Sequence, residues 1–121
     1  MNRAPSAETL EGGWTLRGTD PAGREVRIIL GETELAQAYL GLTVGRHPAL
    51  CERILDDESV SRRHFRIGLA EGKLFIEDLN SLNGTFLDGR ELMAFRPEPL
   101  GPHQEVRAGR VSLIVSRLDN G

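Results

Sequence analysis

The stretch HFRIGLAEGKLFIEDL (residues 64–79) decides the fold class of this chain. Phe65, Ile67 and Leu69 occupy every second position of its first half, and KLFIEDL is a second strand-like run after the turn signal AEGK. A period of two places alternate side chains on one face, which is typical of a strand that packs against a core. The stretch therefore predicts two strands joined by a tight turn.

Strand-like runs of the same kind lie on both sides of this stretch. WTLRG (14–18) and REVRIIL (24–30) alternate around the turn signal DPAG, and EVRAGRVSLIVSRL (105–118) alternates near the end of the chain. TFLDGREL (85–92) is a hairpin signature, because Asp-Gly accepts the positive φ angles of a type I′ turn. Many short strands with closely spaced turns predict an all-β sandwich whose loops carry the function.

Three segments depart from the strand pattern. ETELAQAYLG (32–41) is the one helix-like window, and we predict a single helical turn there at most. PEPLGPHQ (97–104) is rich in proline and is predicted to be a loop. Residues 1–12 are small, polar and acidic, which predicts a disordered tail before a domain that spans residues 13–118.

The composition limits the kinds of protein this chain can be. Its 121 residues, 39% hydrophobic and 27% charged, suffice for one domain with one core, in which we expect Trp14, Tyr39 and the phenylalanines. A net charge of −3 argues against a general nucleic-acid binder. The single cysteine, Cys51, allows no internal disulfide, and no apolar run suits a signal peptide or a membrane span. We therefore expect a cytoplasmic protein without membrane association.

Three loops between predicted strands, GRHPALCER (45–53), DDESVSRRH (56–64) and DLNSLNGT (78–85), carry unusual polar residues. Catalysis is the first reading to test. Ser61 and His64 are three positions apart on an extended segment, so their α-carbons are about 10 Å apart and their side chains tend to opposite faces. No glycine-framed nucleophile elbow surrounds Ser61. A Ser-His-Asp triad with Asp78 is thus disfavoured, and we expect no enzymatic activity.

Metal binding is not indicated either. The acidic run DDE (56–58) lacks the spaced alternation of a calcium loop. The three histidines have no zinc-type spacing with one another or with the cysteine. We expect neither a metal ion nor a cofactor.

Anion binding fits the three loops better. Arg46 follows Gly45, Ser61 offers a hydroxyl donor, and Arg62 and Arg63 add positive charge beside it. A phosphate held by an arginine fork and a hydroxyl gains charge-assisted hydrogen bonds worth roughly 1.5–3 kcal/mol each. The convergence of the loops, more than any single arginine, favours this reading.

The three motifs together resemble the forkhead-associated (FHA) domain family. Members of that family look like G-R, then S-x-x-H, then D-L-x-S-x-N-G-T, and here Gly45-Arg46, SRRH (61–64) and DLNSLNGT (78–85) match in order and spacing. The resemblance covers about residues 13 to 118. It implies an eleven-stranded β-sandwich of antiparallel and mixed sheets whose loops at one end bind a phosphothreonine peptide. Such a protein would be an interaction module in bacterial-type Ser/Thr kinase signalling.

The resemblance also implies a role for each motif residue. Arg46 and Ser61 would hold the phosphate with Arg62 beside it, and Asn83 would hydrogen-bond the peptide main chain. The residues implied to support these loops are Gly45, His64, Ser81 and Gly84.

Leu82 departs from the family pattern, because a small hydroxyl or polar residue commonly precedes the motif asparagine. Leucine cannot donate a side-chain hydrogen bond. It would instead offer its backbone N–H to the ligand, or line a pocket for the threonine methyl group. The same feature favours an alternative function, a phosphate-independent interaction scaffold of the same fold.

The N-terminal tail suggests one specific partner. Thr9 lies between Glu8 and Glu11, and some proteins of this family are similar in carrying a tail threonine that, once phosphorylated, folds back onto the domain. Thr9 is therefore a candidate phosphosite and the tail a candidate ligand. A solubilising acidic tail is the alternative.

Overall fold

Strands form where the sequence alternates apolar and polar residues. The computed structural model describes residues 12–118, which contain β1 Gly13–Thr19, β2 Glu25–Gly31, α1 Glu32–Gln37, β3 Leu42–Gly45, β4 Arg53–Ile54, β5 Phe65–Ala70, β6 Lys73–Asp78, β7 Thr85–Leu87, β8 Arg90–Glu91, β9 Glu98–Pro99, β10 Glu105–Ala108 and β11 Val111–Leu118. The turn at Asp88-Gly89 has positive φ at both central residues, as the type I′ prediction requires, and the predicted turn at Glu71-Gly72 has the same feature.

The strands build two sheets. One has six strands in the order β2-β1-β11-β10-β7-β8, and the other has five in the order β4-β3-β5-β6-β9. Neighbouring strands are antiparallel except for β3 and β4, which pair in parallel. The predicted eleven-stranded β-sandwich of antiparallel and mixed sheets is therefore confirmed within the described residues.

The core lies between the inner faces of the two sheets. Val111, Leu113 and Val115 of β11 are buried, and the pairing of Leu16 with Val115 places the apolar face of β1 beside them. The largest fully buried side chain is Phe65 on β5, the strand that leads out of the second polar loop. This packing holds rigid the strand ends from which the polar loops emerge.

Three details of the predicted secondary structure were wrong. Helix α1 has six residues, more than one turn at about 3.6 residues per turn, because Leu35 is buried and anchors it. Glu98–Pro99 lies in the predicted proline-rich loop but pairs with Phe75 and Ile76 at the edge of the sheet, where a proline is tolerated. Arg53–Ile54 ends the first polar loop as a short parallel strand.

The expectation that every aromatic residue fills the core was also wrong. Trp14 and Phe65 are buried, but Tyr39 is 97% exposed and Phe95 is 62% exposed. Tyr39 lies in the connection between α1 and β3, just before Gly41 turns the chain with φ +91°. Aliphatic residues supply most of the core instead.

Within residues 12–118, no helix combines the length and the apolarity needed to cross a membrane. In the same residues, no three His, Cys, Asp or Glu side chains come together as ligands for a metal ion.

Candidate functional site

Three connections meet at one end of the sandwich: β3–β4, β4–β5 and β6–β7. The Arg46 N–H donates to the Ser61 carbonyl oxygen at 3.0 Å, and the Leu82 N–H donates to the Ser61 hydroxyl oxygen at 2.9 Å. The three connections enclose a cleft of about 490 Å³. Its lining residues are Arg46, Leu50, Glu58, Ser59, Val60, Ser61, Arg62, Arg63, Leu79, Leu82 and Asn83. We call this space the arginine cleft. All five residues predicted to bind phosphothreonine line it.

Arg46 is held by its backbone and by one edge of its guanidinium group. Its Nε donates to the Val60 carbonyl oxygen at 2.9 Å, which fixes the plane of the guanidinium. Its two terminal nitrogens make no hydrogen bond to any residue between 12 and 118. Arginine presents such a fork to a carboxylate or phosphate in two-pronged fashion.

The charge of the arginine cleft is unbalanced. Arg46, Arg62 and Arg63 are exposed, and none forms an ion pair within the described part of the chain. One acidic residue, Glu58, lines the same cleft, and its side chain is 91% exposed. Three arginines against one exposed carboxylate leave a positive potential that an anion would neutralise.

Ser61 is oriented as a hydrogen-bond donor. Because its Oγ already accepts the Leu82 N–H, its own hydroxyl proton can point to a ligand in the cleft. The Leu82 N–H, which was one candidate donor to a ligand, is engaged by Ser61 in this structure. The Leu82 side chain is 88% exposed and forms an apolar rim with Leu50 and Leu79.

His64 lies behind the cleft and is fully buried. Its Nδ1 accepts the Ser61 N–H at 3.0 Å, so its Nε2 carries the proton and donates to the Gly84 carbonyl oxygen at 2.9 Å. Burial lowers the pKa of His64 below its usual 6.5, which keeps the ring neutral. The imidazole contacts the backbone of Ser61 rather than its hydroxyl, so the two residues do not form a nucleophile–base pair.

Asp78 organises the third loop, a role that the sequence reading missed. Its buried carboxylate accepts hydrogen bonds from the hydroxyls of Ser81 and Thr85, both at 2.6 Å, and from the N–H groups of Asn80 and Ser81 at 3.0 and 3.2 Å. Four donors on one carboxylate fix the path of the chain that leads to Leu82. The signal in the sequence was an aspartate followed by serine three positions later, a local hydrogen-bonding pattern.

The loop-supporting residues act through close contacts. The Ser81 hydroxyl oxygen accepts the Gly84 N–H at 3.0 Å, and Gly84 has φ +87°, which favours glycine. At Gly45 a β-carbon would lie 2.2 Å from the Arg62 carbonyl oxygen. Only glycine allows the β3–β4 loop to approach the β4–β5 loop this closely.

Asn83 and Ser59 join the loops across the cleft. The Asn83 Nδ2 donates to the Ser59 carbonyl oxygen at 2.8 Å. The Ser59 hydroxyl donates to Asp57 Oδ2 at 2.5 Å, which lowers the pKa of that carboxyl group, and accepts the Arg110 N–H at 2.8 Å. Ser59 therefore fastens the β10–β11 turn to the cleft, although it was not among the predicted site residues. Thr9 lies outside the described residues.

Comparison with known proteins agrees with this architecture. The family model described as FHA domain matches residues 42–109. The FHA domain-containing protein FhaB of Mycolicibacterium smegmatis is 33% identical over 107 residues, which cover 81% of this chain and 68% of that protein.

Two solved structures are similar in fold. One, from a structural and functional analysis of phosphothreonine-dependent FHA domain interactions, has 27% identity and a TM-score of 0.63, covering 86% of this chain and 95% of the other. The N-terminal FHA domain of S. cerevisiae Rad53p, in complex with a phosphothreonine peptide, has 24% identity and a TM-score of 0.68, covering 86% and 92%. The second likeness supports the fold alone.

Proposed function

The chain belongs to the FHA domain family, and from that premise we propose that its arginine cleft binds a phosphothreonine in a partner peptide. One observation carries the proposal: Arg46, Arg62 and Arg63 meet in a single cleft, and none of them has an acidic partner within residues 12–118. A similar solved structure is described by phosphothreonine-dependent FHA interactions. The ligand implies a Ser/Thr kinase that writes the phosphothreonine, so the module belongs to kinase signalling.

The phosphate would contact Arg46 and Ser61 first. Arg46 offers two terminal nitrogens on a fixed plane, and Ser61 offers a hydroxyl whose oxygen is already held by Leu82. Both donors are in place before the ligand arrives, so little side-chain entropy is lost on binding. Arg62 would add charge at the rim, where it is exposed to solvent.

The rest of the ligand would use the third loop. With one amide N–H of Asn83 committed to Ser59, its Oδ1 makes no hydrogen bond to any described residue and suits a peptide N–H. The apolar rim of Leu50, Leu79 and Leu82 suits the threonine methyl group. Since Ser61 and His64 do not form an activated pair, the proposal is a binding module without catalysis.

Binding of a phosphothreonine peptide library, followed by fluorescence anisotropy, tests the proposal. Arg46→Ala and Ser61→Ala should each weaken the selected peptide at least about tenfold, because each removes charge-assisted hydrogen bonds. Arg27→Ala is the matched control, since Arg27 is an exposed arginine on β2 outside the cleft. Equal losses in Arg27→Ala and Arg46→Ala would mean that only overall charge matters, and would contradict the proposal.

The alternative function is a scaffold that binds its partner without phosphate. The 88% exposure of Leu82 favours it, because Leu82 lines the cleft together with Leu50 and Leu79, and contiguous exposed apolar surface rimmed by polar residues is typical of a contact site. An Arg46→Ala/Ser61→Ala double variant separates the two functions. Retained binding of the natural partner by that variant would select the scaffold.

We further propose that, if phosphorylated Thr9 is a ligand, it binds the cleft of a second copy. Gly13 pairs with Leu118 at one end of β11, whereas Arg110, just before the other end, contacts Ser59 beside the cleft. Strand β11 rises about 23 Å between these ends. The four residue steps from Thr9 to Gly13 span at most about 14 Å, less than this rise and too little to bring Thr9 to the cleft of the same domain.

A mixing experiment tests this arrangement. An isotope-labelled Thr9→Ala chain supplies an intact cleft, and an unlabelled, phosphorylated Arg46→Ala chain supplies the tail. NMR shifts near Arg46 of the labelled chain should grow with the concentration of the unlabelled chain. Concentration-independent shifts in a singly phosphorylated wild-type chain would instead show binding within one molecule.

A further inference from the structure

A four-residue turn over residues 57–60 borders the arginine cleft. The Val60 N–H donates to the Asp57 carbonyl oxygen at 3.0 Å, which closes a β-turn. The Asp57 carboxylate folds back onto the same turn, where its Oδ2 accepts the Ser59 N–H at 2.9 Å and the Ser59 hydroxyl at 2.5 Å. We call residues 57–60 the Asp57 turn. One carboxylate therefore engages both polar hydrogens of Ser59 and fixes the shape of the turn.

Two consecutive carbonyl groups of the Asp57 turn hold side chains that come from the other two polar loops. The Ser59 carbonyl oxygen accepts Asn83 Nδ2 at 2.8 Å, and the Val60 carbonyl oxygen accepts Arg46 Nε at 2.9 Å. Arg46 is the residue proposed to hold the phosphate, and Asn83 is the one proposed to hold the peptide main chain. A single turn therefore sets the directions of both.

Packing does not orient these two side chains, because Arg46 and Asn83 are both exposed. Their hydrogen bonds to the Asp57 turn determine where the remaining polar atoms of each side chain point. Val60 anchors the end of the turn through its buried side chain, which is 1% exposed. Ser59 is held through its polar groups instead: its hydroxyl proton goes to Asp57, and its oxygen accepts the Arg110 N–H at 2.8 Å.

We propose that Asp57 is a positioning residue for the ligand, which acts through the Ser59 and Val60 carbonyl groups to orient Asn83 and Arg46. Asp57 does not line the arginine cleft, so its effect on a ligand there passes through these groups. Its carboxylate is 12% exposed, and the hydrogen bond from the Ser59 hydroxyl lowers its pKa, so it is ionised at neutral pH. The inference rests on the proposed function, because it concerns the affinity for a phosphothreonine peptide.

The sign of the affinity change separates positioning from charge. Asp56→Ala is the matched control, since Asp56 is an exposed neighbour whose side chain takes no part in the hydrogen bonds of the Asp57 turn. Asp57→Ala and Asp56→Ala each remove one negative charge from the same loop, and charge alone would make both variants bind a phosphate slightly more tightly. A positioning residue would have the opposite effect.

Anisotropy titrations with the phosphothreonine peptide selected from the library measure this effect. Asp57→Ala should weaken binding about 5- to 30-fold, because two side chains that were already ordered must then be ordered by the ligand. Asp56→Ala should bind equally or up to about twofold more tightly. Asp57→Asn keeps an oxygen that can accept from Ser59, so its loss should stay within about threefold.

A double-mutant cycle tests the route through Asn83. If Asp57 acts partly through that side chain, Asp57→Ala/Asn83→Ala should bind at least about threefold better than the product of the two single losses predicts.

NMR of the free protein tests the same route without a ligand. Asp57→Ala should shift the signals of the Arg46 Nε–H and the Asn83 side-chain amide and speed their exchange with water, whereas Asp56→Ala should leave both signals unchanged. The dispersion of the amide spectrum shows whether each variant is folded. If Asp57→Ala does not fold, Ser59→Ala takes its place, because it removes the hydroxyl that the carboxylate holds, and it should weaken binding about 3- to 10-fold.

The outcomes separate this inference from the proposed function. If the peptide binds through Arg46 but a folded Asp57→Ala chain binds it as tightly as Asp56→Ala does, the positioning role is overturned and the phosphate site stands. Independent losses in the double-mutant cycle, or unchanged NMR signals of Arg46 and Asn83, would overturn it as well. If peptide binding ignores Arg46→Ala, the proposed function fails, and the positioning role fails with it.

Discussion

Replacing Asp78 by alanine should both destabilise the domain and disable the arginine cleft. The Asp78 carboxylate is 4% exposed and accepts four hydrogen bonds, from two hydroxyls and two N–H groups of its own loop. Alanine would leave all four donors without this acceptor. The Thr85 hydroxyl is fully buried and cannot turn to water, whereas the N–H groups of the exposed loop can be hydrated.

The magnitude follows from those contacts. A buried donor that loses its partner costs about 1–3 kcal/mol, and hydrogen bonds to a charged group contribute about 1.5–3 kcal/mol each. The Thr85 hydroxyl should bear the full cost of a lost partner, and the three donors that water can reach should each bear a smaller cost. We therefore expect Asp78→Ala to lower the free energy of unfolding by about 3–5 kcal/mol. A domain of this size has about 5–15 kcal/mol in total, so the variant should fold but with a much lower denaturant midpoint.

Urea unfolding followed by tryptophan fluorescence measures this loss. Thr85→Val removes one of the four bonds and should cost about 1–2 kcal/mol. Asp56→Ala is the matched control, because Asp56 is an exposed aspartate at the head of a neighbouring loop. A loss below about 1 kcal/mol in Asp78→Ala, or an equal loss in Asp56→Ala, would refute the idea that this carboxylate holds the loop.

Three further outcomes follow from the same contacts. In the unfolded chain His64 takes up a proton near pH 6.5, whereas burial lowers the pKa of His64 in the folded state. The free energy of unfolding should therefore fall as the pH drops below 6.5, by up to about 1.4 kcal/mol per pH unit. Urea titrations at several pH values measure this dependence, and His64→Gln should lose it. Gly45→Ala should cost about 1–3 kcal/mol or more, since its β-carbon would lie 2.2 Å from a carbonyl oxygen, whereas Gly101→Ala meets its nearest neighbour at 3.8 Å and should leave the unfolding midpoint almost unchanged. Leu82→Ala should reduce the preference for phosphothreonine over phosphoserine peptides by up to about fourfold in anisotropy titrations, and an unchanged ratio would remove Leu82 from the methyl pocket.

Much of the fold could be predicted from the sequence, because long strands show a regular alternation of apolar and polar residues. The apolar alternation of β5, β6 and β11 predicted their buried faces, and Asp88-Gly89 predicted its turn. The two-residue strands β4 and β9 have no period to detect, since they exist only through pairing with β3 and β6. The predicted burial of Tyr39 was wrong for a related reason. Aromatic residues are usually buried, but the path of the chain places Tyr39 in the connection between α1 and β3.

Some residues of the candidate site could likewise be predicted from the sequence, and others could not. Arg46, Ser61 and Asn83 belong to short motifs, so their meeting in one cleft was foreseeable from a resemblance to a family. Ser59 was missed because its contact with Arg110 joins residues that are 51 positions apart. Its role depends on how the two sheets bring the β4–β5 loop against the β10–β11 turn, which no local pattern encodes.

The spacing of Ser61 and His64 connects the exclusion of catalysis to the proposed binding. Three residues apart, the imidazole reaches the Ser61 N–H and not the hydroxyl, so it cannot withdraw the hydroxyl proton. The Ser61 hydroxyl oxygen accepts the Leu82 N–H, so the Ser61 hydroxyl proton remains available for donation. A nucleophile needs its proton removed, whereas a phosphate ligand needs the proton kept and aimed outward. The same two contacts that keep the imidazole from the Ser61 hydroxyl therefore leave that hydroxyl free to donate to the proposed phosphate, and His64, neutral and buried behind it, holds the Ser61 backbone in place.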